Sequence, residues 1–145
     1  MPYAYPPHDE RLPYTGKHHY FLTFSTNHRS PTFLKETHVV LVCTQILRAA
    51  REAEFAMTFY CFMPDHVHLI VEGRFGVQLW QRYGYERVIR DDAELALTIG
   101  YLLGNPVSAG LADHPSKYPY IGSDRYTIEE LLAICEYETR VGPSA

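Results

Sequence analysis

Two histidines one residue apart, His66 and His68, are the feature of this sequence best suited to chemistry. If the run HVHLIVE over residues 66–72 forms a strand, positions i and i+2 share a face, so both imidazoles stand side by side while Val67 points into the core. Neutral imidazole is a common ligand for divalent metals. Two unrelated strand histidines would give the same HxH pattern, so a metal site needs a further donor. A helix over residues 91–104 offers one, because Asn105 follows Tyr101 by four residues, a spacing that puts both on one helical face. With that face packed on the histidine side of the sheet, Asn105 can supply an amide oxygen to the metal, and Tyr101 places its phenol one turn back. Such a set suits phosphoryl transfer: a metal polarises a phosphodiester oxygen, and a phenolate attacks phosphorus to give a covalent intermediate. A phenol titrates near ~10, so a metal or a base must assist its ionisation. Tyr101 is one of twelve tyrosines, and by residue type alone a packed core aromatic is the commoner reading.

The elements that must position these residues follow from periodicity. Residues 1–16, rich in proline and tyrosine, read as an irregular arm. Residues 18–26 (HHYFLTFST) read as a first strand, broken by Ser30-Pro31. Residues 35–54 carry Val39, Val40, Cys43, Ile46, Leu47 and Ala50 near a 3.6 period and read as a helix. Residues 55–62 and 66–72 form a hairpin about the turn Met63-Pro64-Asp65. Residues 79–90 (LWQRYGYERVIR) read as extended, with Gly84 a candidate bulge. Asp91-Asp92 opens the helix that carries Tyr101, and Asn105-Pro106 is expected to stop it. A loop follows, then a short helix over 127–137 with Thr127 as N-cap and Glu130 at capping-box spacing. No internal repeat is visible.

The chain has 145 residues, 46% of them hydrophobic and 14% aromatic, which predicts a single folded domain over residues 1–145 rather than a disordered segment. Its three cysteines, Cys43, Cys61 and Cys135, fit neither a disulfide framework nor a zinc ribbon, which suggests a reduced, cytoplasmic setting. Neither a signal peptide nor an apolar run long enough to span a bilayer is seen, so no membrane partner is expected. The net charge of −4 is unfavourable for binding nucleic acid, but its distribution is uneven. Between Arg11 and Arg51 the basic residues Arg11, Lys17, Arg29, Lys35, Arg48 and Arg51 face only Glu36, with four histidines interspersed. Lys17, His18, His19, His28 and Arg29 are therefore the candidate phosphate contacts, and an ordinary solvated surface is the other reading of the same bias.

MPDHVHLIVE (63–72) resembles the histidine–hydrophobic–histidine segment of single-tyrosine HUH transposases, and LWQRYGYERVIRDDAEL (79–95) and YLLGNPVSAGL (101–111) are similar to the REP-associated tyrosine transposase branch of that family. HHYFLTFST and YPYIGSDRYTIEEL also fit, so the resemblance spans about residues 18–132. It implies an α+β fold, a ferredoxin-like antiparallel sheet with flanking helices. It implies Tyr101 as nucleophile, His66, His68 and Asn105 as metal ligands, and Mg²⁺ or Mn²⁺ as the metal. It also implies a substrate of single-stranded DNA beside a REP-like hairpin, cleaved through a 5′-phosphotyrosine intermediate with a free 3′-OH that can be rejoined.

One departure concerns the architecture. The family carries a helix-bearing segment between the HVH strand and the LWQ run, whereas residues 73–78 alone separate them here. The sheet is thus expected to lack its second crossover helix, leaving a link of six residues that reaches at most ~20 Å. Three readings follow. One is an active strand transferase. Another is an internally deleted, inactive relative that still binds DNA hairpins. The third is a cupin-like metal enzyme using HxH, which leaves Tyr101 and Asn105 without a role. A monomer is expected, or a homodimer in which segment 79–104 exchanges between copies.

Overall fold

Strict alternation of apolar side chains builds the centre of the molecule. In strand β3 (His66–Arg74), Val67, Leu69 and Val71 project to one face, and His66, His68 and Ile70 to the other. The computed structural model describes residues 17–74 and 85–138. The irregular arm expected over residues 1–16, and the part of the extended run at 79–84 with its bulge at Gly84, lie outside the described residues.

The elements run β1 (Lys17–Ser25), α1 (Glu36–Glu52), β2 (Ala56–Met63), β3, β4 (Tyr85–Ile89), α2 (Asp92–Ser108), β5 (Ile121–Gly122) and α3 (Ile128–Ile134). The strands form one sheet in the order β4-β1-β3-β2-β5, with all neighbours antiparallel. The first four positions are those of a ferredoxin-like sheet. The short strand β5, in a stretch expected to be loop, adds to the β2 edge by pairing Tyr60 with Gly122 and Cys61 with Ile121. Two residues cannot produce a periodic signal, so only the pairing reveals them.

Both faces of the sheet are covered. α1 packs Val39, Cys43, Ile46 and Ala50 onto Val67, Leu69 and Val71. Val40, expected on that inner stripe, is 56% exposed, because the inward-facing row 39–43–46–50 leaves it a ~100° step around the helix. On the opposite face α2 and α3 bury Ile99, Leu102, Leu103, Leu131 and Cys135 against Phe59, Cys61, Met63 and Ile70. None of the three cysteines forms a disulfide. Among the described residues no helix is long and apolar enough to cross a membrane.

The helix carrying Tyr101 does not end at Asn105-Pro106. Asp91 caps it, its carboxylate accepting from the Glu94 N–H, and it continues through Pro106 to Ser108. A proline inside a helix removes one backbone donor and costs about 3 kcal/mol. Pro106 is fully buried, which offsets part of that cost, and the closing turn is kept by the Ala109 N–H donating to the Asn105 carbonyl. Thr127 and Glu130 form the expected reciprocal capping box of α3.

The connection between β3 and β4 falls within residues 75–84, outside the described residues. β3 and β4 flank β1 and run parallel to each other, and among the described residues no helix lies between them. Ten residues (75–84) separate Arg74 from Tyr85. Arg74 lies opposite Lys17, and Tyr85 opposite Thr23. The gap is about 22 Å by strand rise and spacing, against an extended reach of about 33 Å for ten residues. The sheet face carrying Val67, Leu69 and Val71 is covered by α1, and the other face by α2 and α3.

Candidate metal and nucleophile site

The HVH pair stands at the start of β3, on the face that α2 covers. His66 Nε2 and His68 Nε2 are 3.1 Å apart, and Asn105 Nδ2 lies 3.2 Å from His68 Nε2. A half-turn of that amide puts its Oδ1 in the same place. The three residues singled out from spacing are therefore brought to one point, Asn105 arriving from the helix that Pro106 fails to break.

The far nitrogen of each ring is occupied. His66 Nδ1–H donates to Asp65 Oδ1 at 2.7 Å, and Asp65 Oδ2 accepts from Arg29 Nε at 2.9 Å. The hydrogen bond from His66, the largest effect, holds the Asp65 carboxyl below the usual carboxylate range; burial, second in size, opposes it, and Arg29 adds to the lowering. His68 Nδ1 lies 2.9 Å from the Thr23 hydroxyl, and its ring stacks on Phe21 with centroids 5.6 Å apart. Burial, followed by the neighbouring His66, lowers the pKa of His68 to about 4, so His68 is neutral near pH 7, the protonation state that ligates a metal.

This donor set suits a divalent ion. With Nδ1–H of His66 committed to Asp65, its Nε2 lone pair faces the other imidazole and the amide. Two lone pairs aimed at each other are relieved by a cation or a shared proton. Two nitrogens and one amide oxygen, with no carboxylate, favour Mn²⁺ over Mg²⁺ on ligand softness. Among the described residues no group of three or more histidine, cysteine, aspartate or glutamate side chains is placed to hold a metal, so Asn105 is the third protein donor available at this point.

Tyr101 is 72% exposed on α2, one turn before Asn105, while its neighbours Ile99, Leu102 and Leu103 are fully buried. The alternative reading of Tyr101 as a packed core aromatic does not hold. Arg87 of β4 reaches across to α2, to Glu94 at 3.2 Å and the Thr98 hydroxyl at 3.3 Å, and lies over the Phe21 ring.

The proposed phosphate contacts divide into two sets. Asn27–Arg29 forms a short 3-10 turn at the metal end of the sheet, with His28 and Arg29 both at positive φ, 54° and 55°. Lys17, His18 and His19 lie toward the other end, where their partners on β3 are Arg74, Gly73 and Glu72. Glu72 is four residues beyond His68, so His19 stands about 13 Å from the pair along the sheet. His19 is moreover engaged by Glu72 at 3.1 Å, and Arg125 binds the same carboxylate. Sequence proximity grouped these residues; antiparallel register separates them.

Asp65, Thr23, Phe21 and Arg87 were not singled out from the sequence. Adjacency to His66 was the available signal for Asp65. Thr23 and Phe21 become neighbours of His68 through β1–β3 pairing, which no local pattern encodes.

No family model matches the chain, and no curated protein does. Among solved structures, that of a REP-associated tyrosine transposase bound to a REP hairpin superposes with a TM-score of 0.62 at 20% identity, over 79% of this chain and 82% of that one. The fold is thus transposase-like. A second, a crystal structure of a protein assigned as a transposase in Deinococcus radiodurans R1, is 15% identical over 94% of this chain and 100% of that one, with a TM-score of 0.40. The resemblance seen in the sequence is supported at the level of fold.

Proposed function

We propose that this chain is a metal-dependent, single-tyrosine DNA strand transferase acting at hairpin-flanked single-stranded DNA. The observation that carries the reading is the meeting of His66 Nε2, His68 Nε2 and the Asn105 amide at one point, with a solvent-exposed Tyr101 one turn along the same helix. The fold it shares with a transposase solved on a REP hairpin supports a DNA hairpin as the substrate class.

In this reading His66, His68 and Asn105 hold Mg²⁺ or Mn²⁺, which when bound supplies positive charge to a non-bridging phosphate oxygen. Tyr101 Oη attacks the scissile phosphorus, and the P–O bond to the 3′ oxygen breaks. The phenol proton is lost to solvent or a base, and the departing 3′ oxygen gains one, leaving a 5′-phosphotyrosine and a free 3′-OH. Attack by a second 3′-OH reverses the step and restores the phenol. The exposure of Tyr101 leaves it accessible to a polymer that an enclosed pocket would exclude.

The test is incubation with a hairpin-flanked single-stranded oligonucleotide and Mn²⁺, followed by denaturing electrophoresis. A covalent adduct that needs both metal and Tyr101 is expected. Tight hairpin binding without an adduct, in a chain that binds Mn²⁺, would favour the inactive hairpin-binding relative instead.

A further inference from the structure

The two histidines are held by unlike partners. Asp65 is a carboxylate, an acceptor only, and it takes Nδ1–H of His66 at 2.7 Å. Arg29 Nε donates to its other oxygen, and Arg29 Nη1 donates to Ser25 Oγ at 3.1 Å, so the carboxylate is fixed from two sides. The turn carrying it is clamped as well: the Thr26 N–H donates to the Asp65 carbonyl, the Thr26 hydroxyl donates to that of Ser30, and the Phe33 N–H donates to that of Pro64. The left-handed backbone at His28 and Arg29 is a strained conformation at the turn that aims Arg29 at Asp65. Thr23, by contrast, offers His68 a hydroxyl that both donates and accepts.

We propose that Asp65 and Thr23 are positioning residues of the metal site: Asp65, braced by Arg29, locks His66 with Nδ1 protonated and Nε2 open, and Thr23 lets His68 move its proton between its two nitrogens as the ion enters. Without metal, the Thr23 hydroxyl donates to His68 Nδ1, and His68 Nε2–H donates to the open Nε2 of His66, the pair 3.1 Å apart. With metal, the hydroxyl rotates, accepts Nδ1–H of His68, and frees its Nε2. Each nitrogen of the two rings keeps a partner in either state. This inference rests on the metal-site reading above and names what prepares that site.

The experiment combines ¹⁵N NMR of the imidazoles at pH 8, metal-free and with diamagnetic Mg²⁺, with Mn²⁺ titration followed by electron paramagnetic resonance. Wild type should show His66 protonated at Nδ1 throughout, and His68 moving from Nε2–H to Nδ1–H on metal addition. Asp65→Ala should mix the His66 tautomers and weaken Mn²⁺ binding roughly 10- to 100-fold. Asp65→Asn, whose amide oxygen still accepts Nδ1–H, should restore the tautomer and most of the affinity. Thr23→Val should leave His68 fixed as an Nε2–H donor and also weaken Mn²⁺. The clamp on the turn uses the backbone carbonyl of Asp65, so Asp65→Ala should keep its fold by circular dichroism. An unchanged His66 spectrum in Asp65→Ala, or Mn²⁺ affinity equal to wild type, overturns the role of Asp65. A His68 that keeps one tautomer with and without bound metal overturns that of Thr23. Wild type that binds no Mn²⁺, yet loses the His66 tautomer in Asp65→Ala, supports the Asp65 lock while removing the metal reading.

Discussion

Tyr101 projects from a helix whose neighbouring large side chains are buried, so its ring adds little to the core. Tyr101→Phe is therefore expected to abolish covalent adduct formation while leaving the unfolding free energy within the about ±0.5 kcal/mol typical of surface changes. An adduct of undiminished yield would move the nucleophile elsewhere, with Tyr83 and Tyr85 the next to test. A second expectation concerns His19. Burial lowers its pKa from 6.5, outweighing the attraction of Glu72, so the fold prefers the neutral ring. The unfolded chain then binds a proton first as pH falls below 6.5. The contribution of His19 to stability is present above that value and is lost between it and the lower folded pKa. Urea midpoints measured from pH 8 to pH 5 should decline less for His19→Gln than for wild type; parallel curves would show that His19 makes no such contribution.

At the scale of elements, the close of β3 depends on a missing side chain. A Cβ on Gly73 would sit 2.2 Å from the Phe55 ring, which lies across the strand beneath α1. Phe55 is itself 5% exposed and packed edge-on to Tyr20, so it has little room to withdraw. Gly73→Ala should destabilise the chain by about 1–3 kcal/mol through overpacking, and Phe55→Leu in the same background should recover part of the loss. Equal stability of Gly73→Ala and wild type in a denaturant titration would show that Phe55 moves aside freely. The same site dependence on elements appears in α2, which carries Asn105 to within 3.2 Å of His68 Nε2.

For the whole molecule, α1 covers one face of the sheet, and α2 with α3 the other, so no second chain is needed to bury Val67, Leu69 and Val71. A monomer is the expected species by size-exclusion chromatography with light scattering, and a dimer persisting at nanomolar concentration would restore the exchange of segment 79–104. Net charge is −4, so any hold on DNA must come from a local cluster rather than from the overall field. Hairpin affinity should fall as salt rises, with a log–log slope near −0.7 to −0.9 per phosphate neutralised. Binding indifferent to ionic strength would remove the electrostatic part of the proposal.

Alternation in HVHLIV was enough to place His66 and His68 on one face of a strand, and the spacing of Tyr101 and Asn105 to place both on one helix, because these relations are set by backbone geometry within a few residues. The strands, the two longer helices and the capping box at Thr127 were legible for the same reason. Relations between distant segments were not. The sequence could not say that Thr23 stands beside His68, that Lys17, His18 and His19 lie at the opposite end of the sheet from the pair, or that Ile121–Gly122 joins an edge. Each is fixed by strand register, which depends on pairing energy summed over residues far apart in the chain. The continuation of α2 through Pro106 was decided by burial of that ring, a tertiary term that outweighs the local penalty.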